Sequence, residues 1–177
     1  MSRGAVRDAV QAWLVAGNIS GLNTVHRAVP RWADGSEWKL NLGTAGSGAV
    51  AAVHINEEQA SRITVPAPNV LLPGGPVGQK MRSYRIGLMV FYQYLVPSGG
   101  FTAPDEAGWA APLDSILDAI VDRLEADPLI GTNGSVVWQA AQEPGDPKVM
   151  TDIPKQLSGK ILAWSVVEFT VDQVVTA

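Results

Sequence analysis

The chain has no cysteine, which excludes a disulfide framework and cysteine-ligated zinc and fits synthesis in a reducing cytosol. Histidine is nearly missing as well. With only His26 and His54, a Ser-His-Asp triad has few ways to exist, and no serine has the surroundings of a nucleophile elbow. His54 with Glu57 or Glu58 would offer two ligand types from one strand, which does not make a metal site. Charge is scarce: 17% of the 177 residues are charged and the net charge is −4, with no basic run. Lys80 and Arg82 share one face of a long strand while Arg85 sits on the other, so no stripe tracks a phosphate backbone, which argues against stand-alone DNA binding and is compatible with an assembly that DNA passes through without being gripped. The longest apolar runs, near Leu88–Tyr92 and Ile161–Trp164, fall far below the roughly 18 residues of a membrane span. Arg3 and Arg7 ahead of AVQAWLVAG faintly resemble a secretion signal, but Asp8 and Gln11 interrupt the run at helical spacing, so it reads as a folded helix.

What is present is organised around Lys80–Leu95, KMRSYRIGLMVFYQYL. Tyr84, Ile86, Leu88, Val90, Tyr92 and Tyr94 alternate onto one face, and Met89, Phe91 and Leu95 add apolar weight to the other. Period two with apolar residues on both faces predicts a strand inside a sheet. Leu157–Val174 matches it in length. There Ile161, Ala163, Val167, Phe169 and Val171 face one way. Leu162, Trp164, Val166, Glu168, Thr170 and Asp172 face the other, buried early and exposed late. Asn23–Trp32 reads as an edge strand because Pro30 cannot donate to a ladder. Ala49–Ile55 reads as a strand of small residues that continues, bent, through Asn56–Thr64. Gly134–Gln142 is a further strand, opened by an Asn133-Gly134 turn.

Two helices complete the plan. Val6, Ala9, Val10, Trp13 and Leu14 recur at helical steps after a Ser2 cap, and Gly17-Asn18 stops the helix. Trp109, Leu113, Ile116, Leu117, Ile120, Val121 and Leu124 form a wider stripe, with the regular helix beginning near Ala111 because Pro112 belongs in a first turn. A chain of this length and composition forms one domain, residues 1–177, of the α+β class: a mainly antiparallel sheet with two helices packed on one face and long loops. Low charge also fits a subunit that buries surface against neighbours.

The loops carry the remaining signals. Val65–Gly78 (VPAPNVLLPGGPVG) is too rich in proline and glycine for regular structure, yet Val70, Leu71 and Leu72 are too apolar to stand free in water. They either fold back over their own core or dock on another subunit. Phe101 lies in a second loop, Pro97–Gly108, and Glu143–Pro154 is a third. Gly43, Gly46 and Gly48 are in the wrong order for a dinucleotide fingerprint and read as linker. Gly74–Lys80 lacks the ending of a phosphate loop and leads into a strand. Asp114, Asp118 and Asp122, with Glu125 adjoining, recur opposite the apolar stripe. They are a solvated face, or a face that meets a basic partner or lines a channel and repels DNA. The six tryptophans read as core or interface anchors.

Taken together, the order of elements resembles the tail-terminator proteins of long-tailed, siphovirus-type bacteriophages, particularly those infecting actinobacteria. The likeness is carried by the helix RDAVQAWLVA and an edge strand ending in Trp. SGAVAAVHI follows with its EEQASRI continuation, then a proline/glycine-rich loop and GQKMRSYRIGLMVFYQYL. The helix LDSILDAIVDRLEADP and a last strand ending VVEFTV complete it. It covers nearly the whole chain and rests on order and texture, not on an invariant motif. The resemblance implies a non-enzymatic virion protein with no cofactor and no metal, made in the host cytoplasm and placed at the tail–neck junction. It implies a homo-hexameric ring that caps the tail tube, ends its elongation and receives the head–tail connector, with DNA passing through unbound. The interface would then involve Val70, Leu71, Leu72 and Phe101, with Asp114, Asp118 and Asp122. A head–tail connector or tail-tube subunit shares much of this texture. A small-ligand-binding α+β domain is the alternative of a different class.

Overall fold

The computed structural model describes residues 3–29, 47–63, 79–96, 106–132, 137–138, 147–157 and 160–176. They form α1 (Arg3–Ala16), β1 (Leu22–His26), β2 (Gly48–Ile63), β3 (Gln79–Leu95), α2 (Glu106–Ala126), β4 (Val137–Trp138), β5 (Lys148–Thr151), β6 (Lys155–Leu157) and β7 (Lys160–Thr176). The expected α+β architecture is the one found. The sheet runs β1-β2-β3-β7-β4, and β5 and β6 also pair with β7.

Strand β3 lies at the centre because it can be buried on both sides. It pairs antiparallel with β7 from Gln79↔Thr176 to Leu95↔Lys160 without irregularity. On its other edge it pairs antiparallel with β2. The ladder there is interrupted once, between Ile55 and Glu57, where Asn56 is the extra residue of a bulge. The ambiguous Asn56–Thr64 stretch is thus the bent continuation of the strand, as read from the sequence. A bulge re-aims the strand beyond it without ending it. β1 joins the far edge of β2 in parallel. Since β3 fills one edge of β7, the short strands β4, β5 and β6 line up along its other edge.

Both helices lie on one face. Val6, Val10, Trp13 and Leu14 of α1 pack with Leu113, Ile116, Leu117, Ile120 and Leu124 of α2 over the alternate residues of β2, β3 and β7, from Ala49 to Val171. The small residues Ala49 and Ala51 let α1 approach the sheet closely. Arg123 joins the two helices: its guanidinium lies 5.2 Å from the centre of the Trp13 ring, and its Nε and terminal nitrogen donate to the Trp13 carbonyl at 3.2 and 2.9 Å. A Cβ on Gly17 would stand 2.7 Å from Arg123 Nε, so Gly17 clears the space while Asn18, at φ 45°, makes the left-handed turn that ends α1.

Several expectations are corrected. β1 ends at His26, short of Trp32, because α1 takes over its partners. Gln11 Nε2 donates to the Val25 carbonyl at 2.8 Å and Arg27 pairs with Asp8. Pro30–Trp32 lie outside the described residues, as do Ser2, the linker Gly43–Gly46, the Val65–Gly78 loop and Phe101. α2 starts at Glu106, not near Ala111, and holds Pro112 inside it. One missing N–H and a ring clash cost about 3 kcal/mol, against about 1.5–3 kcal/mol for each large side chain that the stripe buries. The third loop contains β5, since Val149–Thr151 find ladder partners on β7. Of Gly134–Gln142, the described part is the two-residue β4. The second face of β7 does not open toward its end, for Asp172 is buried where Val137 pairs beside it.

Ile120 is fully buried in this core. Ile120→Asp forfeits about 1.5–3 kcal/mol of burial and desolvates a carboxylate besides, against a total of about 5–15 kcal/mol for a domain. The variant is expected to lose its cooperative thermal transition by circular dichroism; an unchanged melt would remove α2 from the core.

Candidate functional site

The face of the sheet away from the helices carries an apolar band and a polar one. Phe91 stacks on Trp164 with ring centres 6.5 Å apart and planes within 12°, and Met89, Leu162 and Val166 are half-buried beside them. Across the middle of the same face runs an ion-pair clamp. Glu168 on β7 accepts from Arg85 of β3, at 3.0 Å from Nε and 3.1 Å from the terminal nitrogen. It also accepts from the Asn56 amide at 2.7 Å. Asn56 belongs to β2, so its side chain crosses over β3 to reach Glu168. Gly87 makes the crossing possible, since a Cβ there would stand 3.0 Å from the Asn56 amide atoms. A glycine inside a strand weakens it, and here it is the clearance the clamp requires.

Hydrogen bonding by Arg85 pulls the Glu168 carboxyl below the ordinary 4.5, with Asn56, the Arg85 charge and Lys148 adding to it and burial opposing. A carboxylate held ionised in this way is a poor general acid near neutrality. Burial, with a smaller contribution from Tyr94, raises the Tyr92 phenol above 10.0 and keeps it neutral. His54 is exposed, opposite Gly87. Glu58, beyond the bulge, turns to the helix side and pairs with Arg3 and Arg82. Among the described residues, no group of three or more His, Asp or Glu is placed to hold a metal ion.

The two ends of the sheet expose apolar side chains. At one end Val149 and Met150 of β5 are 44% and 38% exposed and Ile153 just beyond is 81% exposed. Lys148, Lys155 and Lys160 are exposed alongside. At the other end a groove of about 170 Å³ opens between the end of α1 and β1, lined by Leu14, Val15, Ile19 and Leu22 with Asn18 and Asn23. Val15 is 59% exposed there.

Of the residues read from the sequence as interface candidates, Val70, Leu71, Leu72 and Phe101 lie outside the described residues. Asp114, Asp118 and Asp122 are exposed on α2, facing away from its buried stripe. The edge residues Val149, Met150 and Ile153 escaped the sequence reading. The signal was available, since apolar residues in a proline-rich loop had singled out Val70–Leu72, and the same test applies to Glu143–Pro154. The Asn56–Glu168 contact, 112 positions apart, left no local trace. No protein-family model matches the sequence, and no curated protein matches it significantly.

The clamp makes a pH prediction. Because the native Glu168 pKa is depressed, its contribution to stability is full above about 4.5 and is lost as pH falls through the native value. Glu168→Gln should therefore unfold at lower urea than the parent chain at pH 7, and the gap should narrow below pH 4.5. A gap that stays constant would detach the carboxylate from the clamp.

Proposed function

We propose that this chain is a structural assembly subunit of a bacteriophage tail, of the tail-terminator type. It acts as a ring that caps the tail tube, ends its elongation and presents a surface to the head–tail connector. The observation that carries the reading is the placement of exposed Val15 at one end of a single sheet and exposed Val149, Met150 and Ile153 at the other. Large apolar side chains kept at opposite edges are surfaces for neighbours, and a subunit with two such edges extends a ring or a file. The order of elements that resembles tail terminators supports the more specific role. In this reading the protein is not an enzyme, needs no cofactor and sits at the tail–neck junction of the virion. DNA passes through the ring, past acidic residues such as Asp114, Asp118 and Asp122.

Among the described residues, a groove beside α1 leans toward a ligand-binding domain. At about 170 Å³ it is open and smaller than the roughly 300–1,000 Å³ of small-molecule sites.

Deletion of the gene from its phage, followed by negative-stain imaging of the lysate, tests the role. Tails of uncontrolled length without attached heads are the expected result. Tails of normal length beside heads that leak DNA would make the protein a connector, and normal virions would end the proposal. Complementation refines it: Leu71→Ser with Leu72→Ser should leave the fold intact and fail to restore titre. Full titre would take that loop out of the interface.

A further inference from the structure

We infer that the start of α1 and the strands beneath it form a binding site for a doubly charged phosphate, held by Arg3, Arg7, Arg82 and the side-chain amide of Gln173. The site lies apart from the exposed apolar edges and does not depend on the ring reading. It begins as an irregularity of α1. Arg3 and Arg7 continue the line of buried Val10 and Leu14 back toward the helix start, so two arginines stand where the stripe would otherwise stay apolar. Arg3 reaches one oxygen of Glu58 on β2 at 3.3 Å, and Arg82 of β3 approaches the other at 3.6 Å. Glu58 thus spaces two guanidiniums and neutralises the charge of one. Arg7, one turn along from Arg3, pairs with no carboxylate among the described residues. Its Nε is buried without a hydrogen-bond partner. Three cations around one anion leave a surplus of positive charge.

Gln173 points to the ligand independently. It is 1% exposed and is the backbone partner of Arg82. Its Oε1 accepts from the Tyr84 hydroxyl of β3 at 3.3 Å, so its amide lies over β3, on the face that Arg82 shares. Its Nε2 has no partner. An orphaned buried donor carries its full desolvation cost, and an oxyanion oxygen is the acceptor this position lacks. On the same rung β2 contributes only Ala60, which is exposed and leaves the approach open. The first turn of α1 holds no acidic residue, so the positive end of its dipole is not offset. Guanidinium forks match phosphate oxygens, and a dianion balances the surplus where a single carboxylate would not.

Thermal melts of the whole chain at about pH 8, where phosphate is mainly a dianion, test the site. Inorganic phosphate should raise the Tm, and the rise should grow with its concentration; chloride at matched ionic strength should not reproduce it. Phosphate also stabilises proteins by exclusion from their surfaces, so the variants carry the decision. Arg3→Gln with Arg82→Gln should keep a cooperative melt and bind phosphate at least tenfold more weakly by isothermal titration. Arg27→Gln, at a guanidinium that pairs with Asp8, should bind as the parent does. Arg7→Gln removes no ion pair and should weaken binding too, which keeps the question decidable if the double variant does not fold. Parent affinity in the variants that fold, or a chloride shift equal to that of phosphate, would overturn the site. An equal shift from dimethyl phosphate, singly charged like a nucleic-acid backbone phosphate, would overturn the assignment to a dianion.

Discussion

The unbroken pairing of β3 with β7 is the constraint on which the rest of the molecule depends. Their partners run in one register from Gln79↔Thr176 to Leu95↔Lys160. A slip by one residue would turn Tyr84, Ile86, Leu88 and Val90 away from the helices and put Arg85 and Met89 under them. Register is therefore fixed by burial along the whole length. Everything else is attached to this pair: β2 on one side, three short strands on the other, and both helices above.

A pairing of this length between segments so far apart in sequence needs more than a hydrophobic face. The clamp of Asn56, Arg85 and Glu168 supplies a second, independent determinant on the opposite face. It ties β2, β3 and β7 at the same level, where Gly87 lies between its backbone partners His54 and Glu168. Exposed ion pairs contribute little, with a median of about 0–1 kcal/mol. Glu168, at 14% side-chain exposure, is the more sheltered partner, while Arg85 remains 41% exposed. The clamp is thus better understood as specifying register than as a main source of stability. The apolar core supplies the stability, and it is generous enough to carry local costs. Pro112 sits inside α2, and buried Ile130 holds a left-handed φ of 50°. A left-handed residue costs roughly 1–2 kcal/mol, which the burial of its side chain offsets.

Much of this fold was legible in the sequence because the strongest periodicities belong to the elements that bury most. β3, β7, α1 and the stripe of α2 are long and regular, and the Gly17-Asn18 stop works as its residue types imply. What was not legible depends on partners distant in sequence. β1 is shorter than its pattern because Gln11 and Asp8 of α1 intervene. β5 is a strand because β7 presents it an edge, not because KVMT demands one. Asp172 is buried by β4, a segment too short to announce itself. The apolar loop residues Val70, Leu71, Leu72 and Phe101 were legible as anomalies, but their role depends on what they touch.

The same reasoning explains how a chain with so little charge can be a functional protein. Among the described residues, three of its exposed large apolar side chains, Val149, Met150 and Ile153, cluster beside β5, and Val15 lines the groove at the other edge, with Leu95 and Leu129 exposed elsewhere, while acidic residues line the exposed face of α2. Isolated edges of this kind invite aggregation unless they are blunted. Here one edge is blunted by Gln11 and Arg27, and the other by the exposed lysines around β5 and β6. Blunting against random strand pairing while leaving apolar side chains exposed fits the proposed role of these edges as surfaces for neighbours, because it discourages the indiscriminate addition of strands.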